Sequence, residues 1–464
     1  MLSQSSADIA VIGLGVMGLN LALNFADSGF KVAAFDPFPE VVEKVRGGLE
    51  PKVGVTGALE ELIGSLKKPA KILIMVKAGG PIDGVINSLI PLLAPGDIIM
   101  DGGNTLYQDT VRRQDTLAEH GIHFVGLGVS GGQEGARHGP ALMAGGAPEA
   151  VKAVAPLLSA IAARAHDGTP CYAAHGPGGA GHFVKMVHNG IEYALMQMLA
   201  EAYLLMSDPG NMSASEISAA FEDWNKGPAA SYLIEISATV MATKDLATGK
   251  PLVELIRDRA GHKGTGRWTV EAGFDYGIAL PAVAAAFLAR ALSARDRLPD
   301  TRAKLDYTPD MVTNIAGMIG EAFPAVMLAA YAQGFDLIQA ASDEQHWDTD
   351  LRAVAKGWRA GCIIRAAMLD PISSSLDNGD ILASEFAAKT LAASERPLRQ
   401  IVQFATAAGV PVPALYSALA WLDARRCPVL GANLIQGQRD LFGAHTFERI
   451  DQAGVFHHDW DDQA

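Results

Sequence analysis

The sequence predicts a doubly wound α/β domain over residues 1–179, a large all-α domain over 180–428 and a C-terminal tail over 429–464. Three observations predict it. Short apolar runs alternate with helix-length segments through the first third of the chain, which is the βαβ pattern. That alternation stops near Gly181, where long helical patterns take over. From about Pro428 the chain turns richer in Gly, Asp and His.

The strand candidates are "DIAVIG" (8–13), "KVAAFD" (31–36), "KILIMV" (71–76), "DIIMDGG" (97–103) and "HFVGLGVS" (123–130). Each is apolar, β-branched and bounded by Gly, Pro or Asp. Their near-continuous hydrophobicity suits strands buried on both faces of a parallel sheet. Helical patterns follow at 181–206, 214–225, 228–246, 311–340, 350–368 and 381–408. The last stretch ends in "GVFHHDWDDQA" and reads as a tail lying on another surface, not as a packed element.

Composition narrows the function. Hydrophobic residues make up 49% of the 464 and charged residues 19%, the balance of a globular chain with a large core. The net charge of −14 argues against a nucleic-acid or anionic-membrane partner, so an anionic substrate needs a local cluster of basic groups. Three cysteines without a CxxC pair fit reduced thiols in the cytoplasm. The N-terminus has no basic flank of the kind that precedes a signal peptide, and no uncharged apolar run makes a convincing membrane span. The expectation is a cytoplasmic protein that does not engage a membrane.

"GLGVMG" sets Gly13, Gly15 and Gly18 in GxGxxG spacing after a strand and at the start of a helix. The first glycine allows the tight turn, the second admits a pyrophosphate and the third permits close helix–strand packing. The helix N-terminus attracts the phosphate charge. With Asp36 closing the next strand, the pattern predicts a Rossmann-like dinucleotide site. A carboxylate there accepts hydrogen bonds from an adenosine ribose and repels a 2′-phosphate. Pro37 and Phe38 follow, so NAD is favoured and NADP is the alternative. The competing reading is that Asp-Pro merely opens a turn.

"GHFVKMVHNGIEY" (181–193) poses a separate question. At about 100° per residue, Lys185, His188, Asn189 and Glu192 share one arc of the helix, with Val184, Val187, Ile191 and Leu195 opposite. A solvated face is the ordinary explanation of such a stripe. Solvated faces repeat Lys and Glu, however, whereas this one carries a base, an acid and two hydrogen-bonding groups, as a catalytic set would.

Here the sequence resembles the decarboxylating 6-phosphogluconate dehydrogenases over nearly its whole length. The motifs are "GLGVMGLNL", "MVKAG", "DGGN", "GVSGGQEGARHGPALMAGG", "GAGHFVKMVHNGIEY", "GHKGTGRWT", "YAQGF", "GCIIR" and "QRDLFGAHTFE". The resemblance implies oxidation of 6-phosphogluconate at carbon 3 with hydride transfer to NAD(P), then loss of carbon dioxide to give ribulose 5-phosphate. It implies Lys185 as general base and Glu192 as general acid, with His188 and Asn189 orienting the sugar hydroxyls. It adds Val16, Met17, Val76, Lys77 and Ala78 to the cofactor contacts and makes Asn104 a bridge between cofactor and substrate.

The same resemblance implies that Ser130, Gly131 and Gly132 hold the substrate carboxylate. Tyr193, Lys263, Thr265 and Arg290 would hold its phosphate, and Arg439 and His445 would enter the partner subunit's site, making the enzyme a homodimer. No metal is implied, and "HH" at 457–458 reads as a solvated end. Two alternatives stay open: a related 3-hydroxyacid dehydrogenase with another substrate, and a catalytically silent dinucleotide-binding protein. Sugar-nucleotide dehydrogenases, a rival with a similar first domain, need a reactive cysteine; Cys362 reads instead as a core residue in an apolar helix, with Trp268 and Trp358 as packing residues.

Overall fold

The computed structural model describes residues 6–49, 52–261, 264–306, 313–376 and 379–460. All five expected strands form, as β1 (Ile9–Ile12), β2 (Val32–Phe35), β4 (Lys71–Ile74), β5 (Ile98–Asp101) and β6 (His123–Ser130). The sequence reading missed three more: β3 (Val53–Val55), β7 (Ala141–Gly146) and β8 (Tyr172–Ala174). The eight make one sheet in the order β3-β2-β1-β4-β5-β6-β7-β8. Neighbours from β3 to β6 pair in parallel, and β7 reverses against β6.

The continuous hydrophobicity of these strands has the expected cause. Along β1, Ile9 and Val11 enter the apolar layer on one face, while Ala10 and Ile12 enter the layer on the other. β7 joins this sheet to the helical half. Leu142 and Ala144 face the sheet's own core, whereas Ala141 and Met143 belong to the large helical core.

The helix Ala180–Ser207 leans on β6 and β7, and glycines allow it to do so. A Cβ on Gly145 would stand 2.3 Å from the Gly181 nitrogen, and one on Gly128 would stand 2.4 Å from the Lys185 Cβ. Contacts that close exclude any other residue. They set the position of Lys185 over the sheet before any hydrogen bond is counted.

The helical half is organised around Ile315–Gln345, a 31-residue helix. It is the one described helix long and apolar enough to cross a membrane, but 72% of its apolar window is buried inside the fold. Its Tyr331 hydroxyl donates to the Ile364 carbonyl at 2.5 Å. Further helices at Thr265–Asp275, Pro281–Ser293 and Pro413–Arg426 were not read from the sequence.

Several expected bounds need correction. The pattern at 228–246 gives a helix only over Tyr232–Ala242, capped by Ser231, and that at 381–408 starts at Glu385 behind Ser384. The 311–340 pattern yields Ile315–Gln345, its first residues lying outside the described ones. The 350–368 pattern stops at Gly357, and the chain then turns through Gly361 with φ of 66°. That glycine's carbonyl accepts from Ala141 N–H at 3.1 Å. Cys362 therefore sits in a loop and not in a helix, although it is fully buried as expected. The tail too departs from expectation, because it folds into a helix at Ala432–Gly443 and a two-stranded hairpin of β9 (Phe447–Glu448) and β10 (Val455–Phe456).

Candidate active site

The glycine turn is built for close approach. Gly13 has φ of 97°, a conformation open to glycine, and donates to the Phe35 carbonyl at 2.9 Å. A Cβ on Gly18 would lie 1.9 Å from the Gly13 carbonyl oxygen. In front of the helix Val16–Asp27, by contrast, a Cβ on Gly15 would meet nothing within 4 Å. The helix start is thus tight behind and open ahead, the shape a pyrophosphate needs.

Asp36 lies against this turn with both oxygens engaged. Oδ2 accepts from Leu14 N–H at 2.7 Å and Oδ1 from Phe38 N–H at 3.0 Å. The carboxylate therefore opens a turn and also ties the second strand's end to the glycine loop. Each oxygen keeps a second lone pair for a ribose hydroxyl. Met17, Val76 and Ala78 are half-buried, while Val16 and Lys77 are exposed along the same rim.

Asn104 is exposed on the loop after β5, and that loop is held from beneath. Asp101 accepts from Gly103 N–H at 2.9 Å and from the Thr105 hydroxyl at 2.8 Å. The buried Arg113 donates to Asp101 at 3.4 Å, to Asp83 at 2.7 Å and to the Gly79 carbonyl at 3.0 Å. His182 joins the set from the first turn of Ala180–Ser207, with Nε2 3.1 Å from the Asp101 carbonyl oxygen and Nδ1 2.6 Å from the Thr110 hydroxyl. Sequence reasoning missed this bracket. In "TVRRQD" nothing separates Arg113, which is buried, from Arg112, which is exposed.

The stripe on Ala180–Ser207 turns inward. Lys185, His188 and Asn189 are all buried, which rules out a solvated face for them. Lys185 Nζ donates to Asn189 Oδ1 at 2.8 Å and lies 3.3 Å from His188 Nδ1. His188 Nε2 lies 3.1 Å from the Ser130 hydroxyl, so the loop at Ser130 and Lys185 share one hydrogen-bonded chain. Glu192 is partly exposed one turn further on, with Oε2 3.9 Å from His188 Nδ1.

Burial sets the protonation of this group. It lowers Lys185 to a pKa of about 8, with the Glu192 charge working in the opposite direction. Burial, reinforced by the Lys185 charge, holds His188 well below the ordinary imidazole range. Burial also raises Glu192, against the pull of Lys185 and Arg290. A lysine lowered toward neutrality beside a carboxyl that is raised has the chemistry to serve as base and acid. Cys362 differs, because burial pushes its thiol up to about 12, too high for a thiolate nucleophile.

Tyr193 and Arg290 meet at the far end of the stripe. The Arg290 guanidinium lies 3.5 Å from the Tyr193 ring centroid. Thr265 starts the helix Thr265–Asp275 behind Gly264, whose φ is 95°. Gly266 packs on Tyr193, since a Cβ there would stand 2.5 Å from the ring. Lys263 lies outside the described residues. Arg439 and His445 are exposed and make their contacts within the tail: Arg439 donates to Gln436 at 3.0 Å, and His445 meets the Phe442 ring edge-on. Among the described residues no group of three or more His, Cys, Asp or Glu is arranged to hold a metal ion.

Comparison with known proteins places the fold. Residues 8–176 match the NAD binding domain of 6-phosphogluconate dehydrogenase and residues 181–460 match its C-terminal domain. The chain is 46% identical over 468 residues to the NADP(+)-dependent, decarboxylating 6-phosphogluconate dehydrogenase of Bacillus subtilis, covering 98% of this chain and all of that one. The chain belongs to the decarboxylating 6-phosphogluconate dehydrogenase family. It is likewise 44% identical to the Lactococcus lactis enzyme over 98% of its length and 99% of the relative's. The solved 6-phosphogluconate dehydrogenase of Plasmodium falciparum superposes with a TM-score of 0.90 at 35% identity, over 98% of this chain and all of that one. The activity is therefore oxidative decarboxylation of 6-phosphogluconate with NAD(P), a step of the oxidative pentose phosphate pathway. The two alternative functions left open by the sequence fall away.

Proposed function

We propose that the reaction runs along the buried stripe, with Lys185 as base and Glu192 as acid. The observation that carries this reading is the desolvated Lys185, hydrogen-bonded to Asn189 and lowered to about 8. Neutral Lys185 takes the proton from the carbon-3 hydroxyl. Bound NAD(P) supplies the acceptor for the hydride leaving that carbon. The 3-keto acid then loses its carboxylate as carbon dioxide, because the adjacent ketone takes up the electron pair. Protonated Lys185 returns its proton to the developing enolate oxygen. Glu192, whose carboxyl burial raises, delivers a proton to carbon 1 of the enediol while Lys185 takes back the proton of the carbon-2 hydroxyl, leaving the ketone of ribulose 5-phosphate. Lys185 Nζ at 3.3 Å and Glu192 Oε2 at 3.9 Å both approach His188 Nδ1, so the two groups reach one small region that can hold neighbouring carbons of the sugar acid.

The neighbours decide the substrate. Ser130, Gly131 and Gly132 present a hydroxyl and N–H groups to the carboxylate. His188, neutral at working pH, relays orientation from Ser130 to Asn189 and the base. Arg290, Thr265, Tyr193 and Lys263 take the phosphate, with the N-terminus of Thr265–Asp275 aimed at the same charge. Asn104 spans cofactor and substrate.

Three finer readings go with this. NAD is the preferred cofactor, since the Asp36 carboxylate stands where a 2′-phosphate would need a cation. The Bacillus subtilis relative is described as NADP(+)-dependent, so turnover per KM for both cofactors decides the matter. The enzyme is a homodimer whose tail (429–464) serves its partner, separate in role from the cofactor domain (1–179) and the helical domain (180–428). The tail helix supports this, because Leu434, Ile435, Leu441 and Phe442 are each about 60–70% exposed and lack cover within the chain. The reduced cysteines fit a cytoplasmic enzyme.

The pH dependence tests the base. Lys185 must be neutral to accept a proton, so kcat/KM should fall tenfold per unit as pH drops below about 8. A flat profile between pH 6 and 8 would remove Lys185 from that role.

A further inference from the structure

Among the described residues 429–460, Asp440 alone is buried, and it is fully so. A charged side chain is an unusual centre for a small exposed segment, and here it collects four donors. Oδ1 accepts from Thr446 N–H at 2.9 Å and faces His457 Nδ1 at 2.9 Å. Oδ2 accepts from His458 N–H at 3.1 Å and from the Trp460 indole at 2.9 Å. The Asp440 carbonyl also accepts from Ala444 N–H at 2.8 Å.

These bonds join three pieces of chain: the tail helix, the turn at 444–446 and the last described residues, 457–460. The turn is strained, since Ala444 and Thr446 hold φ of 49° and 61°, left-handed values that non-glycine residues avoid. His445 lies between them, and Arg439 immediately precedes Asp440. Gln436 closes the same unit, donating to the Thr446 carbonyl and accepting from Arg439. Burial opposes the Asp440 charge, but the surrounding donors outweigh it and hold the carboxyl well below its usual range.

We propose that Asp440 is the positioning residue of the tail, fixing Arg439 and His445 in one rigid unit that presents both to the substrate. The "HH" at 457–458 thereby finds its use, as donors to this carboxylate. The inference rests on the reading that the tail serves a 6-phosphogluconate site, and the experiment separates the two.

Steady-state kinetics are measured on the full-length enzyme carrying Arg439→Ala, Asp440→Asn or both. Asparagine keeps the shape but sets its own N–H₂ against two of the four donors. Asp440→Asn should raise the KM for 6-phosphogluconate about tenfold, leave kcat within about threefold, and leave the KM for the cofactor unchanged. Combined with Arg439→Ala it should add less than about twofold, because the two act through one contact. Additive losses, or an unchanged KM, would overturn the role given to Asp440. An unchanged KM in Arg439→Ala alone would instead overturn the tail reading itself. Should Asp440→Asn fail to fold, Trp460→Phe removes a single donor and should raise the same KM about threefold. No change there would count against the proposal.

Discussion

The Lys185 cluster and the Asp440 cluster of this enzyme are built in opposite ways. The base cluster lies on a helix buried on nearly every side, locked against β6 and β7 by glycines that admit no side chain. The tail cluster stands out from the body of the chain, organised by one buried carboxylate and surrounded by exposed apolar residues. The difference matches the role proposed for each. A proton acceptor needs desolvation, which only a core supplies, and Lys185 is accordingly lowered to about 8. A phosphate ligand needs a permanent charge that can be brought in from outside, which suits an arginine on a projecting segment.

The comparison breaks most decisively at Lys185. Lys185→Met keeps length and burial but removes the base, and kcat should fall about 10²- to 10⁴-fold with substrate affinity little changed. Stopped-flow absorbance of the reduced cofactor reads this directly, and a loss below tenfold would contradict it. Arg439→Ala acts on the other cluster. Its loss should raise the KM for 6-phosphogluconate about 10- to 100-fold, as expected for one charged hydrogen-bond donor, with kcat little altered. If kcat fell and KM did not, the division between chemistry and anchoring would be wrong.

Gly128→Ala probes the rigid side without replacing a reacting residue. The added methyl would meet the Lys185 Cβ, so the helix must shift or the fold must strain, at a cost of about 1–3 kcal/mol. Thermal denaturation and kcat should fall together; an enzyme of wild-type stability would show that the close contact is not rigid. Asp36→Asn should have the smallest effect, reducing the ratio of NAD to NADP turnover per KM about tenfold or less. A ratio that does not move would return Asp36 to a purely local role, holding Leu14 and Phe38.

The buried half is far more legible in the sequence than the exposed tail. Strands β1, β2, β4, β5 and β6 announce themselves because both faces are apolar. The stripe of Lys185, His188, Asn189 and Glu192 can be read because its spacing is local to one helix. β3 and β8 hold only three residues each, too few for a periodic signal. β7 is nearly all Ala and Gly apart from Leu142 and Met143, and its assignment depends on contact with a helix far along the chain. The Arg113 bracket and the Asp440 staple are long-range pairings, invisible to any pattern of nearby residues. Cys362 shows the converse: "GCIIR" looks helical, but Gly361 turns the chain to meet the strand at Ala141. Roles for Arg439 and His445 came only from family resemblance, since on spacing alone they are surface charges.

The central claim is that chemistry comes from one chain and part of the substrate's anchorage from another. Complementation tests it most directly. Lys185→Met and Arg439→Ala chains are co-expressed, and activity is measured at substrate concentrations below the Arg439→Ala KM. Each mixed dimer then holds one site with an intact base and the partner's intact tail. Random pairing should restore about a quarter of the wild-type activity, well above either variant alone. Activity no higher than the mean of the two separate variants would contradict the account and place the tail in its own chain's site.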